Sequence, residues 1–198
     1  MCGISGVFGD LSQAELNLTS EKMISRLIHR GPDHQESWVG DKIALSSARL
    51  AISDPTPQAN QPMNLRGYSS KMVFNGEIYN HKAIRQNLMR GGVEFQTNSD
   101  TEVVQKSLEL MGVQAINEFN GMWAIAFWDP NKRQLTLSRD RFGKKPIYWT
   151  YRNQKFYFSS EIKSFKDIVG HLKPNSNYFS RFLRNEGVDA GEESPFEG

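Results

Sequence analysis

The chain has 198 residues, 38% of them apolar and 23% charged, which fits one domain of roughly 100 to 200 residues with enough apolar material for a core. Its 24 basic and 22 acidic residues are interspersed and leave a net charge of +2, so there is no electrostatic footprint for a nucleic-acid partner. The single cysteine excludes an intramolecular disulfide and any multi-cysteine zinc or iron–sulfur site. No run approaches about 18 apolar residues and no secretory signal opens the chain, which predicts a cytoplasmic protein with no membrane partner.

The opening Gly3 to Gly9 is small and apolar with glycines at both ends, the pattern of a buried strand that another group approaches closely. Met23, Ile24, Leu27 and Ile28 fall on one helical face and predict a helix over Thr19 to His29, capped by Thr19 or Ser20 and stopped by Gly31-Pro32. Strand signals follow at Ile43 to Leu50 and Lys71 to Phe74. The polar segment between them carries Pro55, Pro57 and Pro62, and a loop that long is usually functional or disordered. A helix is expected from Asn80 to Arg90, closed by Gly91-Gly92. Another starts at Ser99, because Ser99 and Glu102 have capping-box spacing ahead of Val103, Val104 and Leu108.

The period then changes to two: Met122 to Trp128, Gln134 to Ser138, Ile147 to Tyr151 and Lys155 to Phe158 read as an antiparallel meander. Helices among strands without regular beta-alpha alternation predict an α+β protein with layered antiparallel sheets. Tyr178 to Leu183 is one more candidate helix. The remaining tail, with Gly187, Gly191, Pro195 and Gly198 among acidic residues, reads as linker.

The only cysteine is Cys2, directly after Met1. Because a small second residue permits removal of the initiator methionine, the mature chain could begin with a thiol and a free α-amine on one residue. That is a nucleophile with its own base, the α-amine beside the thiol on the same residue. A lone cysteine is more often a small apolar filler, but a terminal residue followed by Gly3-Ile4-Ser5-Gly6 is poorly placed for that.

Met1 to Gly6 (MCGISG) resembles the opening of class II, N-terminal-nucleophile glutamine amidotransferases. The resemblance continues in order through His29 to Asp33 (HRGPD), Arg49 to Ile52 (RLAI), Phe74 to Asn80 (FNGEIYN), Ser99 to Glu102 (SDTE), Asn120 to Ala124 (NGMWA), Arg139 to Tyr148 (RDRFGKKPIY) and Ser160 to Lys163 (SEIK). As a series it is similar to the glutaminase domain of asparagine synthetases and covers the chain to about Lys166. It implies a four-layer αββα sandwich with antiparallel sheets, residues 1–170 as the glutaminase domain, and residues 171–198 as the start of a linker or helical insertion toward an ATP-pyrophosphatase synthetase domain. That domain's SGGxDS loop does not occur in this chain. The chain therefore reads as truncated, and a missing edge strand predicts marginal stability or pairing with another chain, a homodimer being one form of it.

The resemblance also assigns roles. Cys2 attacks the side-chain amide of L-glutamine, giving a thioester, ammonia and then glutamate, while the Asn75 amide and the Gly76 N–H stabilise the oxyanion. Arg49 grips the substrate carboxylate, Asp100 receives the ammonium with help from Glu77, and Leu50, Ile52 and Ser53 line the pocket. Read alone, Asn75-Gly76 is a tight hairpin turn, Arg49 a snorkelling strand-end arginine and Asp100 a helix-dipole carboxylate. His29 to Asp33 is either a loop closing over glutamine or ordinary helix termination. Arg139 to Lys145 lacks the GxxxxGK[ST] form and reads as a strand-connecting turn rather than a phosphate site.

His29, His34, His81 and His171 show no ligand spacing, so no metal is expected. The glutaminase needs no cofactor, with ATP and Mg expected only for the synthetase domain. The expected partners are L-glutamine and that domain, in cis or in trans. Aspartate is the default ammonia acceptor and another carboxylate the alternative. A non-catalytic glutamine-binding module, or an N-terminal-nucleophile hydrolase acting on another amide, are the competing readings.

Overall fold

The amino-terminal strand β1 (Gly3–Phe8) lies in the middle of a sheet, between β3 (Ile43–Arg49) and β8 (Lys155–Ser159), both antiparallel to it. The structure is a computed structural model that describes residues 1–52, 54–186 and 194–197. Gly6 makes this central position possible, since a Cβ there would stand 2.5 Å from the Phe158 ring and 2.7 Å from the Ala44 carbonyl oxygen. Edge strands β2 (His34–Gly40) and β7 (Tyr148–Arg152) complete the sheet in the order β2-β3-β1-β8-β7. A second sheet has the order β4-β5-β6, from β4 (Lys71–Ile78), β5 (Gly121–Asp129) and β6 (Gln134–Arg139).

Side-chain alternation sorts the apolar side chains between the layers into three clusters, which define four layers, and a smaller cluster of Ala59, Met63 and Leu65 lies apart from them. Helix α1 (Gln13–Ser25) sets Leu16 and Met23 against Val7, Ala44 and Tyr157 on the outer face of the five-stranded sheet. Ile4, Ile43 and Leu45 point the other way, onto Val73, Ala124, Ala126 and Trp128 of the second sheet. Met72, Phe74, Ile125 and Phe127 face outward again beneath α2 (His81–Arg90) and α3 (Asp100–Met111), where Ile84, Val103, Val104 and Leu108 meet them. The result is the expected αββα sandwich.

Several local expectations change. Helix α1 begins at Gln13, six residues before Thr19. Ser12 is its cap: Ser12 Oγ accepts from Glu15 N at 3.3 Å and Ser12 N donates to Glu15 Oε2 at 2.8 Å. Ser20 lies inside the helix with its hydroxyl on Asn17 O, and the helix ends at Ser25, followed by a 3-10 turn over Ile28–Arg30. The early start carries little apolar signal, because Leu16 is buried there while Leu18 is exposed. Strand β2 is a half-exposed edge with no apolar alternation and was not expected.

The four late strands are not one meander. The β5–β6 hairpin belongs to one sheet and the β7–β8 hairpin to the other. The crossing follows a turn in which the Asp140 carboxylate accepts from the backbone N–H groups of Trp123, Phe142, Lys144 and Lys145. Helix α4 (Ser176–Leu183) matches the expected late helix, with Asn175 as its cap. Residues 194–197 return to the segment before it through a bridge between Pro174 and Phe196. The linker reading of Gly187, Gly191 and Gly198 lies outside the described residues. Among the described residues no helix is long and apolar enough to cross a membrane.

Candidate active site

The same alternation that builds the inter-sheet core assembles the site. On β3 the inward parity of Ile43 and Leu45 continues through Ser47 to Arg49, on β4 that of Val73 continues to Asn75, and Cys2 has the parity of Ile4. Cys2, Arg49 and Asn75 therefore converge at one end of the space between the sheets, on a cleft open to solvent. Leu50, Ile52, Gly76, Glu77 and Asp100 also line the cleft, Ile52 as an exposed rim. Ser53 lies outside the described residues.

Cys2 Sγ accepts from the Leu50 N–H at 3.4 Å and lies 3.7 Å from the Leu50 carbonyl oxygen. Asn75 and Gly76 sit within β4, paired with Ala124 and Trp123 of β5, which overturns the hairpin-turn reading. A Cβ on Gly76 would stand 2.3 Å from Met122 O, so only glycine lets the two strands close here. Asn75 is 1% exposed, and its Nδ2 has no hydrogen-bond partner among the described residues. A buried amide donor left unpaired costs about 1 to 3 kcal/mol, and its position on the cleft beside Cys2 gives it something to wait for.

Arg49 is not a snorkelling strand end. Its buried guanidinium donates to Asn60 Oδ1 at 2.7 Å, to Thr56 O at 3.2 Å and to Asp54 O, so it holds the 54–60 loop against the cleft. Asp54 stays ionised more readily than an ordinary aspartate because of the Thr56 hydroxyl, with further support from the Thr56 and Asn98 N–H groups and the Arg49 charge. Asp100 opens α3 after the Ser99 cap, and its Oδ2 accepts from Ile78 N at 2.9 Å. Burial raises its pKa above the usual aspartate range despite that bond.

The capping-box expectation at Ser99 holds in one direction. Ser99 Oγ accepts from Glu102 N, whereas the Glu102 carboxylate turns to Gln96 N, Thr97 N and Lys106 Nζ.

Sequence reasoning missed Gln61 and Lys145. Gln61, in the proline-rich loop, accepts from Phe74 N at 2.6 Å and joins the cleft wall to β4; only the length of that loop signalled it. Lys145 is 7% exposed and reaches the cleft from the turn after β6, whose shape hid it among the turn residues. Among the described residues no cluster of three or more His, Cys, Asp or Glu is placed to hold a metal ion.

His29 to Asp33 is absent from the cleft lining and packs behind it. Gly31 presses on β3, where a Cβ would stand 2.2 Å from Ala48 O. Arg30 Nε donates to the Cys2 carbonyl at 2.9 Å, and Asp33 Oδ2 accepts from Ala51 N at 2.8 Å. Arg30 in turn meets Glu161, whose carboxylate also contacts His29 and Lys163. Burial opposes the Glu161 charge, but the hydrogen bonds from Arg30, Lys163 and His29 outweigh it and lower the pKa to about 2 from 4.5.

A depressed carboxylate stabilises the fold above its unfolded pKa and loses that contribution as pH falls toward its folded one. The stability difference between the wild type and Glu161→Gln, measured by urea unfolding, should therefore be constant above about pH 5 and shrink toward pH 2, by up to about 3 kcal/mol. A pH-independent difference would remove the charge from the account.

The family model for the glutamine amidotransferase domain matches residues 1–198. The chain belongs to the glutamine amidotransferase family. Asparagine synthetase [glutamine-hydrolyzing] 1 of Bacillus subtilis is 36% identical over 167 residues, covering 83% of this chain and 26% of that protein. The amidase chry2 of Gibberella zeae is 32% identical over 212 residues, covering 100% of this chain and 31% of its own length. The chain thus spans about a third or less of these relatives.

Among solved structures, the glutamine phosphoribosylpyrophosphate amidotransferase from B. subtilis, complexed with ADP and GMP, superposes with a TM-score of 0.67 at 20% identity, over 85% of this chain and 44% of that one. The layered architecture of this amidotransferase chain is the N-terminal-nucleophile fold.

Proposed function

We propose that this chain hydrolyses L-glutamine to glutamate and ammonia, with Cys2 as the nucleophile once Met1 has been removed. The observation that carries the reading is the unpaired Asn75 amide beside the Cys2 thiol, in a cleft that also presents a cation and an anion suited to a free amino acid. The α-amine takes the thiol proton, the sulfur attacks the side-chain amide carbon, and negative charge develops on the amide oxygen. Asn75 Nδ2 and the Gly76 N–H receive that charge. Protonation of the leaving nitrogen releases ammonia and leaves a thioester, which water hydrolyses to glutamate.

The Arg49 fork suits the α-carboxylate and Asp100 the α-ammonium. Asp100 accepts that ammonium only when ionised, and its raised pKa moves the loss of this ability to a higher pH than for an ordinary aspartate. Glutamine KM should rise as pH is lowered through that value, and Asp100→Asn should raise KM about 10- to 100-fold while removing this limb of the profile. An unchanged limb in the variant would assign the ammonium to another group, with Glu77 the next candidate.

The ammonia would serve an ATP-dependent amidation carried out by a synthetase domain in cis or in trans, to which ATP and Mg belong. The asparagine synthetase relative favours aspartate as acceptor, with another carboxylate the alternative. Residues 1–170 would form the glutaminase unit and 171–198 the approach to that domain.

The test is the intact mass before and after incubation with a diazo-ketone analogue of glutamine. Loss of Met1 and one covalent adduct, blocked by excess glutamine, is the expected result. A mature Cys2 chain that forms no adduct would overturn the reading.

A further inference from the structure

We propose that Glu161 is a positioning residue for Cys2, acting through Arg30 to fix the carbonyl of the nucleophilic residue and thereby the direction of its α-amine. The inference rests on the glutamine-hydrolysis reading above and adds a part to it. An N-terminal residue has no preceding peptide to fix its orientation. Where its amine points relative to its own carbonyl is one torsion, set by whatever holds the carbonyl oxygen. In this chain that group is Arg30, whose Nε donates to Cys2 O at 2.9 Å.

The other edge of the same planar guanidinium meets Glu161, Nη1 to Oε1 at 2.8 Å, so the carboxylate sets the plane from which Nε reaches the nucleophile. Glu161 is itself held by His29, which meets the same Oε1 at 2.9 Å, and by Lys163, which meets Oε2 at 2.9 Å. The adjacent Ser160 grips the next inward-facing residue of the terminal strand: Ile4 N donates to Ser160 Oγ at 3.0 Å, and Ser160 N donates to Ile4 O at 2.8 Å. Gly3 lets the segment that carries Arg30 pass close, since a Cβ there would stand 2.9 Å from Leu27 Cβ and 3.3 Å from Arg30 Cδ. Two sequence motifs separated by about 130 residues, His29 to Asp33 and Ser160 to Lys163, thus form one clamp behind the nucleophile, while Arg49 and Asp100 lie on other elements.

A positioning role predicts a loss of turnover without a loss of binding. Glu161→Ala should lower kcat for glutamine about 10- to 100-fold, as expected for a misplaced reacting group, with KM changed less than about threefold. Glu161→Gln, which keeps an acceptor but loses the charge, should fall between the two. If Glu161 acts through Arg30, the double variant Arg30→Ala/Glu161→Ala should have the kcat of Arg30→Ala alone.

Independent, multiplicative losses in the double variant, a raised KM with kcat kept, or an unchanged kcat in Glu161→Ala would each overturn the proposal. Should Glu161→Ala fail to fold, Glu161→Gln with and without Arg30→Lys gives the same cycle. Turnover in the wild type with no response to these changes overturns the clamp alone. No turnover in a wild type that has lost Met1 overturns the hydrolysis reading and the clamp with it.

Discussion

Replacing Cys2 with alanine should remove glutamine hydrolysis, lowering turnover roughly 10⁴- to 10⁶-fold, because no other group in the cleft can form the thioester. Arg49, Asp100 and the 54–60 loop do not depend on the sulfur for their positions, so glutamine affinity measured by calorimetry should stay within a few-fold of the wild type. The sulfur's contacts with the Leu50 backbone are long, at 3.4 and 3.7 Å, and little stability is lost with them. Alanine is also small enough to leave Met1 removal intact, which separates chemistry from processing. If Cys2→Ala retained more than about a hundredth of the activity, the nucleophile would have to be sought elsewhere in the cleft. If affinity fell together with turnover, Cys2 would be a binding residue.

The second large effect is expected at Asn75, and its two readouts should move differently. A side-chain oxyanion donor contributes about 2.7 to 4 kcal/mol to the transition state, so Asn75→Ala should lower kcat about 10²- to 10³-fold with KM nearly unchanged. The same change deletes a buried donor that has no partner among the described residues. Thermal stability should therefore be unchanged or higher by about 1 kcal/mol, the opposite of what loss of a satisfied structural amide would do. Asn75→Asp, of the same shape but with a carboxylate facing the developing charge, should be slower than Asn75→Ala. Parallel losses of stability and activity in Asn75→Ala would mean that the amide maintains the β4–β5 pairing and has no direct part in catalysis.

Together with the raised pKa of Asp100 and the clamp behind Cys2, these expectations describe a site held ready at some cost to the resting fold. An unpaired amide and a buried carboxylate both favour binding a polar, doubly charged ligand over remaining empty.

The sequence by itself determined the strand periods, the family and which residues to look for at the cleft, because these depend on local spacing and on residue types whose order along the chain is itself informative. Cys2 next to the initiator, Arg49 at a strand end and Asp100 after a serine cap could all be read that way. Tertiary structure decided the rest. Asn75-Gly76 is a turn by local preference and a strand interior in fact, because pairing with Ala124 and Trp123 outweighs that preference. The late strands divide between two sheets because inter-sheet burial, which leaves no local signal, outweighs the pairing of sequence neighbours. Helix α1 starts at Ser12 where apolar periodicity is weakest, since the cap and a single buried Leu16 suffice once a sheet lies beneath them. Glu161 meets the arginine that holds Cys2, a juxtaposition that depends on β8 lying beside β1 and so could be recognised only in three dimensions.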